Sequence, residues 1–69
     1  MQIIINGEKK TINGSTTLAG LLNELNIDTQ RVAVELNMSI IDKSDYSNTI
    51  LKDNDSLEIV SFIGGGAIG

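Results

Sequence analysis

One stretch of this 69-residue chain has the spacing of an amphipathic helix, and that stretch is short. Its apolar positions recur at i, i+3, i+4 and i+7, and all four are leucine: Leu18, Leu21, Leu22 and Leu25. This spacing places the four side chains on one face of a helix. Because so short a helix cannot bury its apolar face by itself, we expect it to pack across one face of a small β-sheet.

The segment before this helix has the composition of a β-hairpin. Residues 2–5 are largely apolar and β-branched, and they stop at Asn6-Gly7, a dipeptide typical of two-residue hairpin turns. Residues 8–12 form the predicted return strand. Ser15 or Thr16 is the candidate N-cap of the helix, since its hydroxyl can accept from an unpaired backbone N–H.

The segments after the helix also have the pattern of strands. Val32, Val34 and Leu36 alternate with Ala33, Glu35 and Asn37, which indicates a strand with one buried face. Residues 38–41 either continue that strand or begin a short extra one. Tyr46 is expected to anchor the polar loop that follows, and residues 57–63 form the last predicted strand.

The predicted order is therefore β-β-α-β-(β)-β. The first and last strands are rich in isoleucine and valine, and the connection between them is long enough for a crossover, so we expect them to pair in parallel at the centre of the sheet. This arrangement is an α+β fold of the β-grasp type, a mixed sheet with one main helix packed across one face. The domain covers residues 1–63, and residues 64–69 form a flexible, glycine-rich C-terminal tail.

Composition argues against most catalytic and binding classes. The chain has no histidine and no cysteine, so the usual general base, the thiol nucleophile and the commonest metal ligands are missing. The net charge of −4 argues against a nucleic-acid partner, and no apolar run approaches the ~20 residues of a membrane span. We expect a cytoplasmic protein that is not an enzyme and that binds no metal or cofactor of its own.

The last predicted strand carries apolar side chains that the single helix cannot cover. If Leu57 and Ile59 face the core, the period of two places Glu58, Val60 and Phe62 on the opposite face. An exposed valine and phenylalanine there indicate a partner-docking face. In the opposite register Phe62 belongs to the core, and the alternation leaves both registers open.

Three consecutive glycines, residues 64–66, follow the last strand. Without a Cβ they make a thin arm that suits a narrow channel in another protein, and fully extended they reach about 10 Å. A terminal carboxylate is ionised at neutral pH and can attack the α-phosphate of ATP to form an acyl-adenylate. The alternative is that these glycines are a frayed terminus without a role.

Taken together, residues 1–7, 32–37 and 53–66 resemble the ThiS family, the sulfur carriers of thiamin biosynthesis. The resemblance extends over residues 1–66 and implies a ubiquitin-like β-grasp domain that serves as a protein substrate. The small subunit of molybdopterin synthase, MoaD, is a near relative with the same fold and glycine end. A carrier for molybdopterin or another sulfurated product, and a β-grasp interaction module, are therefore the alternatives.

The resemblance also implies a role for each residue of the tail. An E1-like adenylating enzyme of the ThiF type would use ATP to adenylate Gly66, and a sulfur donor such as a cysteine desulfurase would supply the sulfur of a thiocarboxylate. Gly64 and Gly65 would thread the channel of the enzyme, while Val60 and Phe62 would belong to the docking face. A thiazole synthase of the ThiG type would then receive the sulfur.

The residues after Gly66 depart from the family pattern, which ends at or near its glycines. If Ala67, Ile68 and Gly69 are retained, the reactive carboxylate is that of Gly69, and Ile68 must pass through a channel suited to glycine. We expect these three residues to be removed by a peptidase or not to belong to the natural chain, so that Gly66 is the reactive end.

Overall fold

The computed structural model describes residues 1–61, which form a mixed β-sheet with one α-helix packed across it. The strands are β1 (Gln2–Ile5), β2 (Glu8–Thr11), β3 (Val32–Leu36), β4 (Ser39–Ile41) and β5 (Ser56–Ser61). Helix α1 spans Leu18–Glu24, and two 3-10 helices span Thr29–Arg31 and Lys43–Asn48. Phe62 and the predicted tail, residues 64–69, lie outside the described residues.

The strand order is β2-β1-β5-β3-β4, and the pair at its centre is parallel. Ile4 pairs with Ser56 and Ile5 with Leu57 in this parallel ladder, whereas the other three strand pairs are antiparallel. The predicted β-grasp arrangement is thereby confirmed, including the parallel pairing of the first and last strands.

Residues 39–41 form a separate strand, β4, because the chain reverses direction at Asn37 and Met38. Both residues have positive φ, 51° and 73°, as a two-residue turn of type I′ requires. The turn allows Ser39 to pair back with Leu36, and Ile41 with Val34. Asn37 tolerates this conformation well, but Met38 is an unusual residue for it, and its side chain is 93% exposed.

Helix α1 begins one residue later than predicted, because Thr17 is its N-cap. The Oγ1 atom of Thr17 accepts a hydrogen bond from the backbone N–H of Gly20 at 3.0 Å. The hydroxyl of Thr16 instead donates to the carbonyl of Asn13 at 2.7 Å. Ser15 lies in a turn with φ of 63°. The prediction of Ser15 or Thr16 as the cap was therefore wrong.

The core lies between the helix and one face of the sheet, and it is almost entirely aliphatic. Of the four leucines predicted to share one face of the helix, three are fully buried, and Leu25, at the C-cap, is half-buried. The buried apolar residues are Ile3, Ile12, Leu18, Leu21, Leu22, Val32, Val34, Tyr46, Leu51 and Leu57.

Tyr46 is buried in this core, as predicted for the anchor of its loop. Burial raises the pKa of its phenol, and the nearby Asp42 carboxylate raises it further, while a backbone hydrogen bond with Val34 acts in the opposite direction. Within residues 1–61, no helix has both the length and the hydropathy needed to cross a bilayer.

Candidate partner-docking face and the end of the last strand

The helix covers one face of the sheet. The exposure of the β5 side chains shows which of them lie on the opposite, uncovered face. Leu57 is buried and Ile59 is half-buried against the helix side, whereas Glu58 is exposed and Val60 is 57% exposed. Of the two registers that the sequence leaves open, the structure has the one that directs Val60 away from the core. The docking role of Val60 and Phe62 remains a prediction.

The strand register places further residues beside Val60. Directly opposite residues of paired strands share a face, and Val60 is opposite Ala33, Glu58 is opposite Glu35, and Glu35 is opposite Ile40. Ile40 is 75% exposed. We call this surface the open face, and it consists of Ala33, Glu35, Ile40, Glu58 and Val60.

The open face holds two like charges in direct opposition. Glu35 and Glu58 are both exposed and occupy opposite positions on β3 and β5, a placement that destabilises a sheet. The ion pair between Arg31 and Asp28, with 3.4 Å between Nε and Oδ2, involves neither glutamate. A cationic group on a partner can relieve this repulsion, and the flanking apolar side chains favour burial against that partner.

A shallow groove of ≈ 450 Å³ borders the open face beside β4. Its lining includes Ala33, Ile40 and Tyr46 and is largely apolar. Among residues 1–61, no three histidine, cysteine, aspartate or glutamate side chains are grouped so that they could hold a metal ion. The chemically distinctive features of this part of the chain are therefore its open face and the strand that leads to the glycines.

The start of β5 is fixed by a buried carboxylate. Asp55 is 9% exposed. Its two oxygens accept from the backbone N–H of Lys52 at 2.7 Å and from Nδ2 of Asn37 at 3.0 Å. The Oδ1 atom of Asn37 in turn accepts from the backbone N–H of Ser56 at 3.0 Å. This network ties the turn before β5 to the β3–β4 turn, so the sheet fixes where β5 begins.

The second half of β5 is held by Asn6 at Ile59, a contact that sequence reasoning missed. The backbone N–H of Ile59 donates to Oδ1 of Asn6 at 2.7 Å, and Nδ2 of Asn6 donates to the carbonyl of Ile59 at 3.2 Å. The two residues are 53 positions apart. The sequence marks Asn6 as a hairpin residue and contains no local signal for its contact with β5.

These features define a class: the chain is a ubiquitin-like β-grasp domain whose last strand runs through the centre of the sheet toward a glycine-rich end. A crystal structure of the thiamine biosynthesis protein ThiS from Geobacter metallireducens has the same fold, with a TM-score of 0.81 and 32% identity over 96% of this chain and 100% of that one. Residues 3–66 match the ThiS family model. The chain therefore belongs to the ThiS family, the sulfur carrier proteins of thiamine biosynthesis.

Two further relatives are a protein of similar length and a much longer one. The sulfur carrier protein ThiS of Bacillus subtilis is 42% identical over 72% of this chain and 76% of its own length. A thiazole synthase of Paramagnetospirillum magneticum is 48% identical over 97% of this chain, which spans 21% of that protein. The chain thus spans about a fifth of the length of the thiazole synthase it resembles.

Proposed function

We propose that this chain carries sulfur for thiazole formation as a thiocarboxylate on its C-terminal glycine. The observation that carries the proposal is the extent of the family match, which includes the three glycines and ends at Gly66. That end point supports Gly66, rather than Gly69, as the residue that is activated. In this reading residues 67–69 are absent from the reactive form.

The reaction uses the terminal carboxylate of this chain and the active sites of its partners. A carboxylate oxygen of Gly66 attacks the α-phosphorus of ATP, pyrophosphate leaves, and an acyl-adenylate forms. The terminal sulfur of a persulfide on a cysteine desulfurase then attacks the acyl carbon, and the bond to AMP breaks. A thiol reductant cleaves the S–S bond of the resulting acyl disulfide and is itself oxidised to a disulfide, which leaves the thiocarboxylate on Gly66. No histidine or cysteine is present to assist as base or nucleophile, so the adenylating enzyme must supply the catalytic groups.

The open face serves in this proposal as the docking surface for a ThiF-type adenylating enzyme. Val60 is exposed there, and the period-two alternation of the sequence is the reason for proposing the same docking role for Phe62. Gly64 and Gly65 pass through the enzyme's channel, because a glycine backbone needs the least width. Docking of the folded face and threading of the glycines then bring Gly66 to the bound ATP.

A thiazole synthase of the ThiG type is the proposed recipient of the sulfur. A stretch similar to this chain makes up 21% of the thiazole synthase of P. magneticum. In that protein a carrier-like sequence and a thiazole synthase occur in one polypeptide, which supports a physical encounter between the two when they are separate.

ATP–pyrophosphate exchange with a ThiF-type enzyme tests the proposal. We expect exchange with a chain that ends at Gly66 and none with a chain that lacks residues 64–69. Exchange that survives the deletion would show that the glycines are not the activated end, and it would favour a β-grasp interaction module over a carrier.

A further inference from the structure

Strand β5 loses one of its two neighbours before it ends. Its parallel pairing with β1 includes Leu57 opposite Ile5, after which the chain turns away at Asn6 and Gly7 into β2. On the other side, β5 remains paired with β3 as far as Ser61. Residues 58–61 therefore have a full strand neighbour on one side and lack the backbone of β1 on the other.

The side chain of Asn6 replaces the missing backbone. Its amide has an acceptor oxygen and a donor nitrogen, as a peptide group does, and it bonds both the N–H and the carbonyl of Ile59. The backbone N–H of Asn6 also donates to the carbonyl of Leu57 at 2.8 Å. Asn6 has a φ of 49°, a left-handed conformation that asparagine tolerates. We call this pair of side-chain hydrogen bonds the Asn6 clamp.

We propose that Asn6 is a positioning residue that fixes the point and direction from which the chain continues past Ser61. This inference rests on the proposed function, in which the glycines beyond β5 must enter a channel while the open face docks. Without the clamp, residues 59–61 depend on β3 alone, and a strand end with one neighbour frays more readily. Ordering those residues at each encounter then opposes productive binding.

Two substitutions remove the clamp in different ways. Asn6→Gly keeps a residue that adopts positive φ without strain but deletes the amide. Asn6→Asp keeps the acceptor for the N–H of Ile59 and replaces the donor with a carboxylate oxygen beside the carbonyl.

Two control variants separate positioning from other effects. Asn26→Gly replaces an asparagine that also has positive φ, 59°, at the end of α1. Thr17→Ala removes the helix cap, which lowers stability without touching β5.

The experiment combines amide hydrogen exchange of the free chain with the kinetics of ATP–pyrophosphate exchange on a ThiF-type enzyme, and every chain compared, altered or unaltered, ends at Gly66. We expect exchange of the Ile59 amide to accelerate by about tenfold or more in Asn6→Gly, and little change at that amide in Asn26→Gly. We expect the KM for the carrier chain to rise about tenfold, with kcat within about twofold. The Ile59 exchange rate and the KM of Asn6→Asp should lie between those of Asn6→Gly and those of the unaltered chain. Thr17→Ala should leave KM unchanged.

A KM for Asn6→Gly that equals that of Thr17→Ala would overturn the positioning role. Unchanged exchange of the Ile59 amide would overturn the clamp itself. If the unaltered chain supports no pyrophosphate exchange, the proposed function and the positioning role both fail, while the amide measurement still decides whether Asn6 holds β5.

Discussion

Glu35 and Glu58 lie directly opposite each other on β3 and β5, on the face of the sheet that the helix leaves uncovered. Opposed carboxylates on one face of an antiparallel pair destabilise the fold. On the same face, the exposed side chains of Ile40 and Val60 present apolar surface. Both features are unfavourable for an isolated domain and favourable for a complex with a partner that carries a cationic group between apolar side chains.

Neutralising the two glutamates is expected to affect folding and docking in opposite directions. The double variant Glu35→Gln and Glu58→Gln removes the repulsion, so we expect the midpoint of thermal unfolding to rise by roughly 2–4 °C. We expect its affinity for the adenylating enzyme, measured by calorimetry, to fall about tenfold, because the attraction for the cationic group is lost.

The double variant Glu8→Gln and Glu24→Gln is the matched control, since it changes the net charge equally at exposed positions away from the open face. Equal losses of affinity in the two double variants would mean that overall charge, and not the open face, attracts the enzyme.

Val60 and Ile50 provide a matched test of the apolar part of the open face. Their exposed fractions are 57% and 59%, but Ile50 forms a bridge with Thr17 at the start of the helix, away from the open face. We expect Val60→Ser to weaken binding of the adenylating enzyme about tenfold and Ile50→Ser to leave it unchanged, as read by titration calorimetry. Similar affinities for both variants would contradict the assignment of Val60 to the docking face.

Met38 is expected to limit the stability of the β3–β4 hairpin. Its φ of 73° strains a residue with a Cβ but not glycine. We expect Met38→Gly to increase the free energy of unfolding in urea by about 0.5–1 kcal/mol, once the greater freedom of glycine in the unfolded chain is taken into account. Met38→Ala keeps the Cβ and should not show this gain. Equal stabilities of the two variants would contradict strain at Met38.

The buried Tyr46 makes stability depend on pH in the alkaline range. Its pKa in the folded state is raised above the ordinary 10.0, so as pH rises the unfolded chain loses the phenolic proton before the folded chain does. The contribution of the protonated Tyr46 phenol to the free energy of unfolding is complete below the ordinary pKa. It is lost as the pH rises through the pKa of the folded state.

Urea unfolding between pH ~8 and pH ~11 measures this effect. We expect the free energy of unfolding to decrease over this range more steeply in the unaltered chain than in Tyr46→Phe, which retains every other titrating group. Parallel curves for the two proteins would contradict a raised phenol pKa.

Much of the fold could be predicted because its signals are local. The leucine spacing of α1 and the alternation of Val32, Val34 and Leu36 report burial directly. The cap could not be placed correctly, since each of three consecutive hydroxyl residues can accept the capping hydrogen bond, and the structure has it at Thr17. Which of the three lies at the start of the helix depends on the path of the preceding turn.

The candidate site could be predicted only in part, because it depends on contacts between distant residues. The alternation along β5 allows Val60 to be exposed, yet the opposition of Glu35 and Glu58 follows only from the register between two strands. The bonds from Asn6 to Ile59 join residues 53 positions apart. The periodicity of apolar residues in a single sequence does not indicate a hydrogen bond between residues so far apart.

The identity of the residue that receives sulfur is tested most directly by intact-mass spectrometry. Chains ending at Gly66 and at Gly69 are incubated with a ThiF-type enzyme, ATP, a cysteine desulfurase, cysteine and a thiol reductant. We predict that the chain ending at Gly66 gains the mass difference between one sulfur and one oxygen, and that the chain ending at Gly69 does not. Sulfur on the chain ending at Gly69, with none on the chain ending at Gly66, would contradict the assignment, and sulfur on neither would contradict the carrier function itself.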